Sequence, residues 1–416
     1  MIVRLALASL RTRSLTVAMS ILAIAVSVML FLGVEKVRTG TKASFADTIS
    51  GTDLIVGARS GAVQLMLYSV FHIGNATNNV SWESYQDIAA RPEVDWTVPI
   101  SLGDSHRQFR VMGTTPAYFE HYKYRQGQSL RLSDGSVMSD LFDAVIGADV
   151  AAILQYDVGD PIVVAHGLAS FTEHENQPFR ISGILGKTGT PVDRTVIISL
   201  EGIEAIHVDW RGGAQIPGQV TSPDELREMD LEPEAVTAIL VGSKNPLQTF
   251  GLQRAINTYP EEPLLAVLPG VALQELWGVI GVAESALLAI SAMVVATALI
   301  GMTAVIFSSL NERRREMAIY RAMGARPRVV FGLLVFEAVV ITVIGVLIGV
   351  ALLYLALYIA QPIIDRNFGL WVPITMLSGA EVLILFGIIV ASAVVSMLPA
   401  FRAYRMSLVD GMMVRS

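Results

Sequence analysis

The chain has 416 residues, of which 53% are hydrophobic, with a formal net charge of −7 and no cysteine. A mean hydropathy of +0.54 is high for a soluble protein, while the absence of cysteine excludes a disulfide framework and any thiolate metal or redox site. The length allows one large domain or two ordinary ones.

The first residues, IVRLALASLRTR, place Ile2, Val3, Leu5, Ala6, Leu7 and Leu10 on one helical arc with Arg4 and Arg11 opposite. Residues 1–15 are therefore expected to form a helix lying in the membrane interface, a short unstructured basic start being the alternative. TVAMSILAIAVSVMLFLGV (Thr16–Val34) follows, an uncharged run long enough to cross about 30 Å of hydrocarbon. It exceeds the roughly 7–15 residues of a secretory-signal core and ends in GVEKVRTG rather than at a small-residue cleavage site, which favours a retained span.

Residues 35–278 change character, carrying 30 Asp/Glu against 17 Lys/Arg. This acidic balance argues against nucleic acid as a ligand. Short β-like runs (DLIVG, RQFRVMG, DPIVVAHG, FRISGIL, RTVIISL, AVTAILVG) alternate with helix-like ones (SWESYQDIAARP, LFDAVIGADVAAILQY, PLQTFGLQRAINTY), which predicts a folded α+β domain. Residues 207–235 are polar and rich in turn formers and are expected to form a long surface loop.

Three further spans are expected at 279–309, 329–360 and 381–401, joined by a loop at 310–328 and a short loop at 361–380, with a tail at 402–416. The fold class is thus a membrane α-helical protein of four transmembrane helices, with a large extracytoplasmic α+β domain inserted between helices 1 and 2. Arg4, Arg11, Arg13, the six arginines of 308–328, and Arg402, Arg405 and Arg415 all fall on one side. By the positive-inside rule that side is the cytoplasm, so both termini are expected there and the α+β domain in the periplasm of an inner-membrane protein.

Candidate chemistry in the outer domain is sparse. GILGKTGT (Gly183–Thr190) contains the GKT of a phosphate-binding loop, but Ile181 stands where the first glycine is required. A strand followed by a glycine turn explains the stretch. All six histidines (His72, His106, His121, His166, His174, His207) lie in this domain, and none forms H-E-x-x-H or a close pair on one helix face. No metal site and no cofactor are therefore expected in this chain, with a site assembled from distant positions as the alternative. No nucleophile or dinucleotide motif appears, so no catalytic residue is assigned.

Within the third span Glu337 is the only charge, about nine residues in and roughly 12 Å deep at 1.5 Å per residue. A carboxylate at that depth faces protein or water, and packing between helices is the expectation. Glu284 and Glu381, near the outer span ends, are given no special role. Gly345 and Gly349 form a G-x-x-x-G that permits close helix approach, within the chain or between two copies.

The loop between the second and third spans, NERRREMAIYRAMGARPRVVF, is the most informative stretch. Each arginine at mid-bilayer costs about 2.5–3.5 kcal/mol, which excludes a transmembrane placement. Ile319, Tyr320 and Met323 cluster on one helical face, and Gly324 followed by Pro327 is a stop signal. An anchor needs charge but no apolar face, so docking on a cytoplasmic protein is favoured, with lipid contact secondary.

The stretch from Asn311 to Gly349 closely resembles the conserved region of MacB-like, FtsX-type permeases of ABC transporters, with Glu312, Arg313, Glu316, Arg321, Ala322, Gly324, Ala325 and Glu337 at matching positions. The tail LPAFRAYRMSLVDGMM looks like the family's ending at Pro399, Arg402 and Ala403, and departs from it at Ser407–Gly411. GTDLIVGARSG, DAVIGADVAAILQYDVGD and FRISGILGKTGTPVDRTVIISL look like segments of the family's periplasmic core domain.

The resemblance implies a non-enzymatic permease bound to separate cytoplasmic ABC ATPase subunits that hold ATP and Mg, and paired with a second copy or a paralogue. It leaves room for a periplasmic partner. It implies that Glu312, Arg313, Glu316, Ile319, Tyr320, Arg321, Met323, Gly324 and Ala325 couple to the ATPase, and that motion is transmitted to the outer domain. The alternatives are a signalling permease that controls a periplasmic enzyme, a component of a metal-uptake assembly, and a receptor without an ATPase.

Overall fold

A computed structural model describes residues 13–49, 51–124, 127–167, 174, 176–211, 214–216, 218–312, 325–368 and 374–405. Its chain divides into two compact units, one of residues 1–40, 281–362 and 372–416, the other of residues 41–280 and 363–371. The helices needed below are α1 (Ser14–Asp47), α2 (Leu200–His207), α3 (Pro269–Glu312), α4 (Pro327–Phe368) and α5 (Gly379–Arg405). By length and composition α1, α3, α4 and α5 are each able to cross a membrane.

These four helices begin earlier or end later than the expected spans. An uncharged run marks where hydrocarbon is crossed, but backbone hydrogen bonding continues into polar sequence wherever no breaker intervenes. At α3 the helix starts at Pro269, ten residues before the expected span. Proline suits a helix start because its missing N–H has no intrahelical acceptor there.

The helical unit is held by an apolar core that includes Ile24, Val28 and Leu32 of α1, Leu299 and Met302 of α3, Leu334, Ala338 and Ile341 of α4, and Leu385 and Ile388 of α5. Small polar side chains join the same core. Thr342 Oγ1 of α4 lies 2.6 Å from Ser392 Oγ of α5 and donates to the Ala338 carbonyl at 2.9 Å. Gly345 and Gly349 face α1 in the same chain. A Cβ on Gly349 would stand 2.7 Å from the Ala25 carbonyl oxygen, and one on Gly345 2.8 Å from Ile24 Cγ2. The G-x-x-x-G face is thus covered within the chain and is not a surface free for a second copy.

The outer unit is built on a ten-stranded sheet. In chain order its strands are β1 (Leu54–Ala58), β2 (Val94–His106), β3 (Phe109–Thr114), β4 (Leu132–Gly135), β5 (Asp143–Ile146), β6 (Pro161–Ile162), β7 (Phe179–Leu185), β8 (Thr195–Ser199), β9 (Ala238–Ser243) and β10 (Leu264–Val267). Across the sheet the order is β10-β1-β9-β2-β3-β8-β5-β7-β4, with β6 beside β7. The β7–β5 and β8–β3 pairs are parallel and the others antiparallel.

Central strands are buried on both faces, as continuous apolar runs require. In β8, Ile197 packs with Met112, Val145 and Leu185 on one face, while Val196 and Ile198 pack with Val111, Ile146 and Ile181 on the other. This explains a correction at 141–156. The stretch reads as one helix in sequence, yet DAVI is a strand wedged between β7 and β8, and only Ala148–Leu154 is helical. An apolar run of four residues fits a buried strand or a helix segment equally well, and tertiary packing decides. Similarly, 207–235 is not all loop: Pro223–Glu228 is a helix with Ser222 and Glu225 forming a capping box.

The GKT turn has a clear structural reading. Asp193 is fully buried, and its carboxylate accepts from the Thr188 amide at 2.7 Å, the Gly189 amide at 2.6 Å and Thr188 Oγ1 at 2.7 Å. Lys187 Nζ lies 3.6 Å away. The amides that would wrap a phosphate are occupied by the chain's own carboxylate. Burial pushes the Asp193 pKa up, against the pull of these donors.

Candidate functional site

Of the residues expected to couple to an ATPase, Arg313, Glu316, Ile319, Tyr320, Arg321, Met323 and Gly324 lie outside the described residues. Glu312 is the last residue of α3, and Ala325 stands two residues before α4 begins at Pro327. Close to this end of the helices lies a cavity of about 150 Å³, lined by Arg13, Thr16, Ser20, Ser308 and Glu337 with apolar neighbours. Glu337 is 6% exposed. A second ionisable residue, Arg13, therefore shares the cavity with it, which the linear distance between the two in sequence hides.

At the other end of the same helices a charged pair is buried. Lys36 Nζ of α1 lies 3.1 Å from Glu381 Oε2 of α5, with side-chain exposures of 5% and 4%. The ammonium also donates to the Thr375 and Met376 carbonyls at 3.3 and 3.0 Å. Glu381 Oε2 further accepts from the Ser378 amide at 2.6 Å, while Ser378 Oγ accepts from the Glu381 amide at 3.2 Å. The S-x-x-E start of α5 is thus a reciprocal helix cap whose carboxylate also neutralises Lys36. The expectation that Glu381 has no special role is corrected here.

In the outer unit, four residues distant in sequence converge. Asp104, His166, His174 and His207 each offer one ligand atom, and these atoms all lie within 4.8 Å of one another. Asp104 arrives through a bulge: Leu102 pairs Met112 and Ser105 pairs Arg110, so Gly103 and Asp104 oppose the single residue Val111. A bulge re-aims side chains relative to the regular pleat. His166 follows an isolated bridge in which Ser105 and Ala165 exchange backbone hydrogen bonds of 2.9 and 2.7 Å. The His174 amide donates to the Val164 carbonyl at 2.9 Å. His207 ends α2, where Nδ1 meets the Ile203 carbonyl at 2.8 Å; a carbonyl only accepts, so Nδ1 carries the proton and Nε2 bears the lone pair.

That lone pair faces the cluster. His166 Nδ1 lies 3.2 Å from His207 Nε2 and 3.4 Å from Asp104 Oδ1, and His207 Nε2 lies 3.8 Å from the same oxygen. The indole of Trp210 walls the group, 4.4 Å from the His174 ring centroid and 6.5 Å from that of His166. The hydrogen bond and charge of Asp104 raise the His166 pKa. Burial, with the neighbouring His207 adding, lowers that of His174 to about 4.

Two family descriptions match the sequence, and between them they account for both units. "MacB-like periplasmic core domain" covers residues 17–235, more than half the chain, and "FtsX-like permease C-terminal" covers residues 288–408. The chain belongs to the MacB-like, FtsX-type family of ABC transporter permeases. It is 25% identical over 352 residues to the macrolide export ATP-binding/permease protein MacB of Azoarcus sp. (strain BH72), covering 84% of this chain and 50% of that protein. It is 22% identical over 425 residues to the protein of the same description from Nitrobacter winogradskyi, covering 98% of this chain and 59% of that protein. The chain thus spans between half and three fifths of the length of these curated relatives. Among solved structures, the periplasmic region of MacB from Actinobacillus actinomycetemcomitans matches 56% of this chain and 94% of its own at 10% identity and a TM-score of 0.33. The extracellular domain of a Gram-positive noncanonic ABC-type transporter, YknZ, matches 52% and 99% at 12% identity and a TM-score of 0.30.

For this MacB-like permease the α+β domain between the first two spans and the four apolar helices are the family's own components. Glu337, Gly345 and Gly349 sit together along α4, the glycines against α1 and Glu337 on the cavity. Sequence reading passed over Arg13, Lys36 and Asp104 as site residues. Ser378 and Glu381 carried a readable signal, the S-x-x-E cap. Asp104 carried none, because one residue of bulge is invisible in a strand pattern.

Proposed function

We propose that this chain is the permease of an ABC complex in which a separate cytoplasmic ATPase, holding ATP and Mg, seats on residues 310–328, and that ATP turnover moves the outer domain. Helix α3 carries the reading. It runs unbroken for 44 residues, about 66 Å at 1.5 Å per residue, from the residue after next to strand β10 to Glu312 at the edge of the arginine-rich segment. Only about 20 residues are needed to cross the hydrocarbon, so the helix has residues to spare beyond the span, and it ends at the edge of that segment. Both termini and the 310–328 segment are assigned to the cytoplasm of an inner-membrane protein by their arginines. Two permease copies, or one with a paralogue, would complete the complex.

The test is reconstitution with the cognate ATPase. Glu316→Lys reverses a charge in the docking segment and Gly324→Trp replaces its stop residue with a bulky ring. Both variants are expected to insert normally and to lose stimulation of ATP turnover by about tenfold, as a docking contact worth roughly 1.4 kcal/mol would give. Undiminished stimulation in both variants would sink the docking assignment.

A further inference from the structure

We propose that Asp104, His166, His174 and His207 form a binding site for a divalent transition-metal ion, Zn²⁺ foremost. Three imidazoles and one carboxylate are the donor set that suits zinc, and they arrive from a strand bulge, two loop positions and a helix end. Zn–N bonds of about 2.0–2.1 Å in a tetrahedron put ligand atoms roughly 3.3–3.5 Å apart. The separations of 3.2 Å between His166 and His207 and 3.4 Å between His166 and Asp104 already match such edges. His207 and Asp104 stand 3.8 Å apart, and all four ligand atoms lie within 4.8 Å of one another.

A plain hydrogen-bonded network is the competing account, and His174 speaks against it. The residue is 2% exposed, yet among the described residues neither ring nitrogen has a hydrogen-bond partner. Buried polar atoms are ordinarily satisfied, and an ion among these ligand atoms would take the lone pair of one of the two nitrogens. The outer support is present as well. His207 Nδ1–H donates to the Ile203 carbonyl, which fixes the tautomer that leaves Nε2 for a cation, the arrangement typical of metal-bound histidine. Asp104, 4% exposed at its side chain, supplies the negative charge that neutralises part of the cation's own. The half-exposed His166 side chain leaves a route from solvent.

With four protein ligands no coordination position is left for a water nucleophile, so the site binds a metal and does not hydrolyse a substrate. Asp104 belongs to β2, His166 follows the bridge of Ala165 to Ser105, and His207 ends α2, so occupancy would tie β2, His166, His174 and α2 to one another. This assignment is independent of the coupling proposal, since ATPase stimulation plays no part in it.

The experiment uses the full chain, purified through a tag without histidines, stripped by a chelator and checked for retained fold by circular dichroism. It is dialysed against Zn²⁺ and the metal counted by mass spectrometry; a parallel sample is loaded with Co²⁺. One zinc per chain is expected, with the intense visible bands of four-coordinate cobalt in the wild type. His174→Ala and His207→Ala should lose stoichiometric zinc, and Asp104→Asn, close in size to the native residue, should weaken affinity by more than the roughly 10–100-fold that loss of an outer-shell partner costs. His72→Asn and His121→Gln should bind as the wild type does. The pale spectrum of six-coordinate cobalt, no bound zinc at micromolar free metal, or zinc retained by His174→Ala would each overturn the site. The cobalt spectrum of the wild type decides the matter even if a variant fails to fold.

Discussion

The helical unit and the outer domain place their polar side chains in opposite ways. In the helical unit the contacts that link different helices are made pair by pair: Thr342 meets Ser392, Lys36 meets Glu381, and two glycines let α4 touch α1. In the outer domain polar groups converge from strands, loops and helix ends far apart in sequence, as at Asp193 and at the Asp104 cluster. Helix packing repeats along an axis, so its contacts follow periodicity; a twisted sheet with crossovers has no such rule. The lesson is that substitutions in the helical unit act pairwise on packing, whereas those in the outer domain act on assembled networks.

The sharpest way to break this comparison is at Gly349. Leu there would drive a side chain into the Ala25 carbonyl, a backbone atom that cannot rotate away. The cost is expected to approach the whole net stability of a domain, about 5–15 kcal/mol, so monodisperse protein should be lost on size-exclusion chromatography. Gly387→Leu on α5, where a Cβ meets nothing within 4 Å, should leave the elution profile unchanged. Equal tolerance at both positions would mean that α1 and α4 are not in contact.

A smaller effect is expected at the buried pair. Lys36→Met leaves Glu381 without its cation and should cost about 3–5 kcal/mol in thermal or denaturant unfolding in detergent. The double change Lys36→Met with Glu381→Gln should recover most of that loss, because Gln keeps an acceptor for the Ser378 amide without an unpaired charge. Additive losses would show that the two side chains act separately and that the pairwise picture fails.

The smallest effect is a pH dependence in the outer domain. Desolvation, with the Arg110 charge adding, lowers the His72 pKa to about 4 from 6.5. The unfolded chain therefore binds the proton first as pH falls, and stability present above pH 6.5 erodes between 6.5 and about 4. A loss of about 1 kcal/mol by pH 5.5 follows. His72 has φ of +54°, a left-handed conformation that asparagine tolerates, so His72→Asn should flatten this part of the profile without strain. An unchanged slope in the variant would assign the acid sensitivity elsewhere.

Much of the architecture is legible in the sequence. The four long apolar runs and the acidic segment between the first two give the membrane unit and the inserted domain, since hydrocarbon thickness fixes a span's length. The β-like runs overlap β1, β3, β6, β7, β8 and β9, while β2, β4 and β10 do not read as strands and DAVI at 143–146 reads as helix, because so short an apolar run has no period of its own. The G-x-x-x-G of α4 shows in sequence that some helix comes close, and only the structure shows that it is α1 of the same chain.

What the sequence by itself determined is therefore local and repetitive: the spans, the strand-rich insertion and the motif of the arginine loop. What only the tertiary structure decided is which distant groups meet. Glycines 345 and 349 find α1, Lys36 finds Glu381, and Asp104 finds three histidines through a single bulge residue. The physical reason is that periodicity records which face of one element is buried, whereas a site depends on several elements closing to within a bond length of a common point.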